Sequence, residues 1–574
     1  VRIGAGWLLG WLAAGCGDGR KDAVVQDTID AAVDDADADT DADADTDADA
    51  DTDTDTDADP ESGADTGAHT GSVVPFSAPD GVFGVPNMDV PGWDDADPAD
   101  DEVIPFSFVP GTAATEVELT LTVAAGEPPV RVWQQGVVIL DSAGATTATV
   151  SVTDPEAPWA LGVEFGGYDA RAELAVQAVD AGGLPVGGGA IGLYGAPLLL
   201  HHHLQPAERV FAVEVSGSFL NNAAFVAAFA DVLGAAFEPV PGRPYANDVW
   251  IQDELEFATC TAPREDGTVD RLDVVIDSAR DRGLDRLPED RFLDDEFAAV
   301  QFSQVRANTY DSFGNLETSP PLAGYPAGMT YYGDDGGSQG PRDADLHAVL
   351  DAQVLQGGLP IDSSWLCVGH VDEYASTIPD PTAPRGFRLV WSDPEVGWDV
   401  LDAMDPSTPL PRWAGWRNHG YDTVGELVSD QGVRDLNAEV RADRLEPLLD
   451  QLRAEWGITD DEVLRIPALF EEVAGCQGRV AALIPGMANL AVVELPGEPV
   501  RVFTADPFVR ADLADPSQDP VIQRMRDLFP PTVELHFVDD WDTYHLALGE
   551  VHCGTNVTRT PLHEWWTGLP GGAP

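Results

Sequence analysis

The chain has 574 residues and a formal net charge of −71 at neutral pH. That length exceeds one ordinary domain, and an apolar fraction of 44% provides for a sizeable core. So acidic a chain repels nucleic acid and anionic membrane, and suits cationic partners: basic proteins, guanidinium groups or divalent metal ions.

Residues 1–16, VRIGAGWLLGWLAAGC, place an apolar run behind Arg2. The run is too short to span a bilayer as a folded helix. It reads as a bacterial signal peptide whose Leu12-Ala13-Ala14-Gly15-Cys16 forms a lipobox. That predicts export, cleavage before Cys16, and a lipid anchor on Cys16 as the link to the cell envelope. An ordinary secretory signal with an incidental cysteine is the alternative.

Residues 17–72 follow as an acidic tract. From Asp37 to Asp59 every second residue is Asp, interleaved with Ala and Thr. Alanine is too small to repay ordering that much like charge, so the tract reads as a disordered, self-repelling tether. Weak calcium binding is the lesser alternative.

Residues 73–195 are rich in β-branched residues, as in EVELTLTVAAG, VRVWQQGVVIL and TTATVSV, with Gly and Pro as punctuation. This predicts a β-sandwich. The dense acidic cluster at 86–103 reads as a solvated loop or one organised by calcium. Residues 196–574 mix strands with amphipathic helices. RVFAVEV and LDVVIDS read as strands, NNAAFVAAFADVLGAAF and ADRLEPLLDQLRAEWGI as helices, and AALIPGMANLAVVELPG as mostly strand. Repeated strand–helix units predict an α/β or α+β catalytic domain. No P-loop, GxGxxG or HExxH is present.

The five cysteines are far apart and show no CxxC spacing, so neither a disulfide framework nor a cysteine zinc site is expected. Cys260, Cys367 and Cys476 are assigned to packing, and His201-His202-His203 to a surface turn.

Four stretches hold more polar residues than packing demands: NDVWIQDELEFA (247–258), IDSARDRGL (276–284), LCVGHVDEY (366–374) and HLALGEVHCGTNV (545–557). If the first is a strand, alternation puts Asp253 opposite Glu254 and Glu256. On a strand, His370 and Asp372 would share a face. A cysteine with a histidine supplies a nucleophile and its acid/base partner. Paired carboxylates suit a planar guanidinium, which offers parallel N–H donors. Together these parts suggest thiolate attack on a guanidinium carbon.

The strings WIQDELEF, DSARDRG, DSFGNLETSPP, VGHVDEY followed by RGFRLV, and GEVHCGTNV followed by WW resemble the peptidylarginine deiminases, in the family's order. The resemblance implies an α+β fold, a pseudo-fivefold αβ propeller, preceded by an immunoglobulin-like β-sandwich over 73–195. It implies Cys553 as nucleophile, His370 as general acid/base, and Asp253 and Asp372 as guanidinium ligands. Trp250 would lie along the arginine stem, and Arg282, with Arg280 beside it, would meet the backbone of a protein or peptide substrate. The implied activity is calcium-dependent hydrolysis of protein arginine to citrulline and ammonia, breaking a C–N bond of a linear amidine.

The same resemblance implies two calcium sites. Gln252, Glu256, Glu317 and the carbonyls of Phe313 and Leu316 form one; Glu254, Asp277, Ser278 and Asp281 form the other. Asn87, Asp89, Asp97, Asp100 and Glu102 offer further oxygens in the middle domain, where Pro91 replaces a further acidic ligand. At 547 some relatives carry an arginine lining the substrate entrance, and this chain has Ala547. That leaves open a deiminase of free arginine or agmatine, and a non-catalytic, acidic, calcium-binding surface lipoprotein.

Overall fold

The computed structural model describes residues 75–569, apart from 87–102, 219, 265–266, 281, 295–296, 303–307, 337–343, 353–354, 416–417, 562–563 and 568. The signal and lipobox, the acidic tether, the middle-domain oxygens from Asn87 to Glu102, and Asp281 therefore lie outside the described residues. Among the described residues, no helix is long and apolar enough to cross a membrane.

The strands between 81 and 195 form two sheets. One has five strands, in the order 81–84, 185–195, 171–179, 116–123, 147–151; the other has four, in the order 104–108, 159–165, 130–134, 137–141. Strand Glu116–Val123 alternates exposed and buried, turning Val117, Leu119 and Leu121 inward. They share one core with Phe106, Val132 and Val163 of the other sheet. VRVWQQGVVIL is a hairpin whose turn, Gln135 and Gly136, has positive φ at both residues, 49° and 76°.

From residue 199 onward, five small sheets repeat one plan. A central strand pairs antiparallel with one neighbour and parallel with another. The central strands are 207–214, 269–277, 330–334, 387–393 and 500–505. Parallel partners need a crossover. Helices Ala223–Leu233, Leu287–Arg291, Ala344–Ala352, Pro394–Asp402 and Pro520–Leu528 each lie in one. The antiparallel partner of 207–214 is strand 556–559, so the last strand of the five sheets pairs with the first central one. The fold is mixed α+β.

Several local expectations are corrected. Residues 251–254 form a short helix before strand 255–263, so Asp253 is not on a strand. Val371–Glu373 is a 3-10 turn, and His370 caps it. Of AALIPGMANLAVVELPG only 481–482, the end of strand 480–482, and 491–493 are strand. His202 and His203 are buried, not on a surface turn. Cys260 is buried and free, but Cys367 and Cys476 form a disulfide with a Cα–Cα distance of 5.5 Å. Their loops are brought together because Cys367 N–H donates to the carbonyl of Val480 on the adjoining strand.

Candidate active site

Each of the five sheets is led by a short irregular segment just before one antiparallel strand. These segments end at residues 254, 315, 374, 490 and 555. They carry, in turn, Trp250 to Asp253; Gly314; His370 and Asp372; Asn489; and Cys553. The five leads converge on one place.

Cys553 is buried there. Its Sγ lies 3.6 Å from Oδ2 of Asp372. Asn489 clamps it twice: its Nδ2 lies 3.2 Å from Sγ, and its Oδ1 accepts from the Cys553 N–H at 3.2 Å. Burial, then Asp372 and Asp253, push the thiol pKa well above its usual value. The Cys553 carbonyl accepts from the Gln252 N–H at 3.3 Å, tying the thiol's turn to the helix that carries Asp253.

His370 donates through Nε2 to the carbonyl oxygen of Thr309 at 2.7 Å. That leaves Nδ1 facing Oδ1 of Asp253 at 3.8 Å. The side chain of Glu373 accepts from the N–H groups of Gly369 and His370, each at 2.9 Å, and fixes this turn. Burial raises the Glu373 pKa to about 8.

Gly314 shows how close the parts are. A Cβ there would lie 2.9 Å from His370 Nδ1, 3.1 Å from Asp372 Oδ2 and 3.4 Å from Asp253 Oδ1. The absent side chain leaves a gap bounded by two carboxylates and an imidazole. Trp250 packs against Gly549 at the thiol, where a Cβ would collide with the indole and lie 3.3 Å from Sγ.

Arg282 lies against the carboxylates around Asp253. Its Nη1 donates to Asp253 Oδ2 at 3.1 Å, and its Nε lies 3.6 Å from Asp248 and 3.8 Å from Glu254. Arg280 lies 3.8 Å from the same Asp253 oxygen and donates to Ser312.

Two groups of buried oxygens flank Asp253. Gln252, Glu256, Leu316 and Glu317 line one cavity. Burial and Glu317 raise Glu256 to about 8, and burial raises Glu317 to about 7. Gln252 donates to Glu256 at 2.7 Å and lies 3.4 Å from the Phe313 carbonyl. In the second group Glu254 is fully buried, and among the described residues neither of its carboxylate oxygens has a hydrogen-bond donor. Burial raises it to about 8. Asp277 and Ser278 lie at the end of the adjoining strand, and Ser278 N–H donates to the Glu254 carbonyl. Buried, oxygen-only carboxylate groups of this kind fit a hard dication.

Sequence reasoning missed Gly314, Asn489, Thr309 and His552. A glycine that matters through its missing Cβ carries no polar signal, and Asn489 sits in a stretch that reads as strand. His552 was visible beside Cys553. Its Nδ1 lies 3.0 Å from Asp372 Oδ2 and 3.5 Å from Glu317 Oε1. Burial opposes its charge, but Glu317 and Asp372 lift its pKa to about 9.

A family model for protein-arginine deiminase (PAD) matches residues 189–567. The chain belongs to the protein-arginine deiminase family. Protein-arginine deiminase type-4 of Rattus norvegicus is 31% identical over 401 residues, covering 65% of this chain and 56% of that protein. Protein-arginine deiminase type-1 of Homo sapiens is 28% identical over 420 residues, covering 69% of this chain and 60% of that protein. The chain thus spans less than two thirds of the length of these family members. Cys553, His370, Asp253 and Asp372 all lie inside the matched span.

Proposed function

We propose that this chain hydrolyses arginine side chains of proteins to citrulline and ammonia, and depends on calcium. The observation that carries this reading is the gap at Gly314, where His370 Nδ1, Asp372 Oδ2 and Asp253 Oδ1 face one another beside the Cys553 thiol. Two carboxylates and a thiol around a space without a side chain suit a planar cation open to nucleophilic attack.

The chemistry follows from these groups. A guanidinium between Asp253 and Asp372 would donate N–H bonds to both and neutralise the charges that hold the Cys553 thiol protonated. The thiol proton passes to the His370 imidazole, the thiolate attacks the guanidinium carbon, and Asn489 N–H steadies the sulfur. His370 protonates the departing nitrogen, and ammonia leaves as the C–N bond breaks. A water deprotonated by His370 adds to the amidino-thioether carbon. The C–S bond breaks, returning the thiolate and releasing the ureido product. Trp250 packs along the substrate stem, and Arg282, once off Asp253, reaches the peptide backbone.

Gln252, Glu256 and Glu317 with the Phe313 and Leu316 carbonyls would hold one calcium ion, and Glu254, Asp277, Ser278 and Asp281 another. Bound there, calcium supplies positive charge to the buried carboxylates on either side of Asp253.

The repeated five-sheet plan supports a pseudo-fivefold αβ propeller over 196–574, and the two-sheet packing supports an immunoglobulin-like domain over 73–195. The Cys367–Cys476 disulfide supports an oxidising, exported setting, with Cys16 as the lipid anchor.

The test is citrulline release from an arginine-containing protein, free arginine and agmatine, with and without calcium, for the wild type and Cys553→Ala. Calcium-dependent turnover of the protein substrate that Cys553→Ala abolishes is expected. Turnover of free arginine or agmatine alone would replace this reading with a small-guanidine deiminase. Turnover of no substrate would leave a non-catalytic calcium-binding protein.

A further inference from the structure

A row of polar side chains leads inward from the surface to the back of the thiol's turn. Glu471, partly exposed, has Oε1 2.9 Å from Nδ1 of His419. His419 Nε2 lies 2.7 Å from His545 Nε2, and His545 Nδ1 lies 2.7 Å from Glu550 Oε1. Both imidazoles are buried against Trp541. None of these residues takes part in the chemistry proposed above.

The inner end of the row is where it meets the site. Glu550 stands three residues before Cys553. Its carbonyl accepts from the Gly554 N–H at 3.3 Å, which closes the turn that carries the thiol. Its Oε1 accepts from the Gly486 N–H at 2.8 Å. The Gly486 carbonyl in turn accepts from the Asn489 N–H at 3.1 Å, and Asn489 clamps Cys553. One residue thus ties the turn of the thiol to the segment that holds its clamp. Against burial and the two aspartates, the groups that favour the Cys553 thiolate are the Glu550 main chain and the Asn489 side chain.

A proton count shows what holds Glu550. Three contacts join four ring nitrogens to two carboxyl groups, and each contact needs one hydrogen. Two neutral imidazoles bring only two. Asp540 decides where the third sits. Both of its oxygens, and Oε2 of Glu550, are buried and have no other donor among the described residues. Burial, then Glu550, push the Asp540 pKa well above the usual carboxylate range. Asp540 therefore brings its own proton, and Glu550 is the carboxylate beside it. The third hydrogen of the row then lies on a ring, and His545 donates from Nδ1 to Glu550 Oε1. A charge-assisted bond of this kind is short and strong.

We propose, on the reading of Cys553 as the nucleophile, that His545 is a positioning residue for it: His545 holds the Glu550 carboxylate, and Glu550 holds both the thiol's turn and the Asn489 clamp.

The test reads the thiol directly. Alkylation of Cys553 by iodoacetamide at pH 8 is followed by peptide mass in the full chain, with kcat and KM for a small N-acyl arginine amide beside it. His545→Phe keeps a ring against Trp541 and loses the N–H. His545→Asn keeps an N–H at the place of Nδ1 and loses the ring. Alkylation at least about tenfold slower in H545F is expected, the scale of one hydrogen bond to a charged group. Its kcat should fall in step at unchanged KM, and H545N should alkylate nearly as fast as the wild type. Equal alkylation of the wild type and H545F, or H545N as slow as H545F, overturns the proposal. Melting checks that both variants fold. If either does not, His545→Gln decides, because its N–H sits at the place of Nε2 and faces His419 instead of Glu550. Slow alkylation of H545Q is expected, and a wild-type rate overturns the proposal. Alkylation that follows this pattern while no substrate yields citrulline counts against the deiminase reading alone. Citrulline release with alkylation indifferent to H545F counts against the role of His545 alone.

Discussion

Arg282 donates from Nη1 to Oδ2 of Asp253 across 3.1 Å, so a guanidinium of the chain itself lies on the carboxylate that the proposed mechanism gives to the substrate guanidinium. Asp248 and Glu254 hold the same side chain from its Nε side. A cation taken up by Glu254 would weaken that hold and free Asp253. Arg282→Ala should therefore lower the calcium needed for half-maximal turnover of a small N-acyl arginine amide. A change of ~1 kcal/mol corresponds to about fivefold. The KM for a protein substrate should rise, because the backbone contact goes. A calcium midpoint that stays put or rises would show that the pair does not restrain the site.

Gly314→Ala tests the gap directly. The new methyl would occupy the space between His370, Asp372 and Asp253. Turnover should fall by at least about a hundredfold, the scale set by misplacing reacting groups. Melting temperature should stay near the wild type. Substantial residual activity would mean that the substrate carbon does not sit there.

Asn489→Ala removes the donor at Cys553 Sγ and the acceptor of its N–H. A hydrogen bond to a charged group is worth ~2 kcal/mol, or about thirtyfold in rate. The loss should fall on kcat rather than KM. The Asn489 bond lowers the thiol pKa, so without it alkylation of Cys553 by iodoacetamide should need higher pH. An alkylation profile identical to the wild type would remove Asn489 from this role.

Glu373 offers a pH signature outside the two proposed calcium groups. Burial lifts it from 4.5 to about 8 in the folded chain. Between those values the folded state holds a proton that the unfolded state has released. Its contribution is thus complete below about 4.5 and is lost as pH rises through about 8. Glu373→Gln keeps the acceptor for the Gly369 and His370 N–H groups but cannot ionise. Urea unfolding at pH 5, 7 and 9 should show E373Q gaining stability relative to the wild type as pH rises. A constant difference across that range would contradict the assignment.

The disulfide closes a separation of 109 residues and ends three positions before His370. Replacing both cysteines by serine should cost about 2–4 kcal/mol, mainly by freeing the unfolded chain. A mass increase of two hydrogens on reduction, with a lower melting temperature, would be the matching observation. An unchanged melting temperature would argue that the link carries no stability.

The side chains that the structure gathers around Cys553 were legible because they stand in dense polar runs: WIQDE, GHVDE and VHC announce themselves. Local backbone form was less so. Alternation around Asp253 is compatible with a strand, and only packing of 251–254 against the Phe313–Asn315 turn decides for a helical turn. His203 reads as surface because its partners Thr377 and Glu317 lie far along the chain. Cys367 and Cys476 read as packing for the same reason. Asn489 and Gly314 act through a clamp and through an absence, neither of which leaves a compositional trace.

The strand that follows Cys553 pairs with 207–214, the earliest central strand of the five sheets. Its pairing sets where the thiol's turn lies. On a ribosome or a translocation channel, that earliest strand emerges long before its partner. The nucleophile can therefore take its place only after all five sheets have been delivered. A half-made chain carries Asp253 and Asp372 but not yet the Cys553 thiol that they face. On the proposed mechanism, chain order itself keeps a nascent chain silent until its last strand is made.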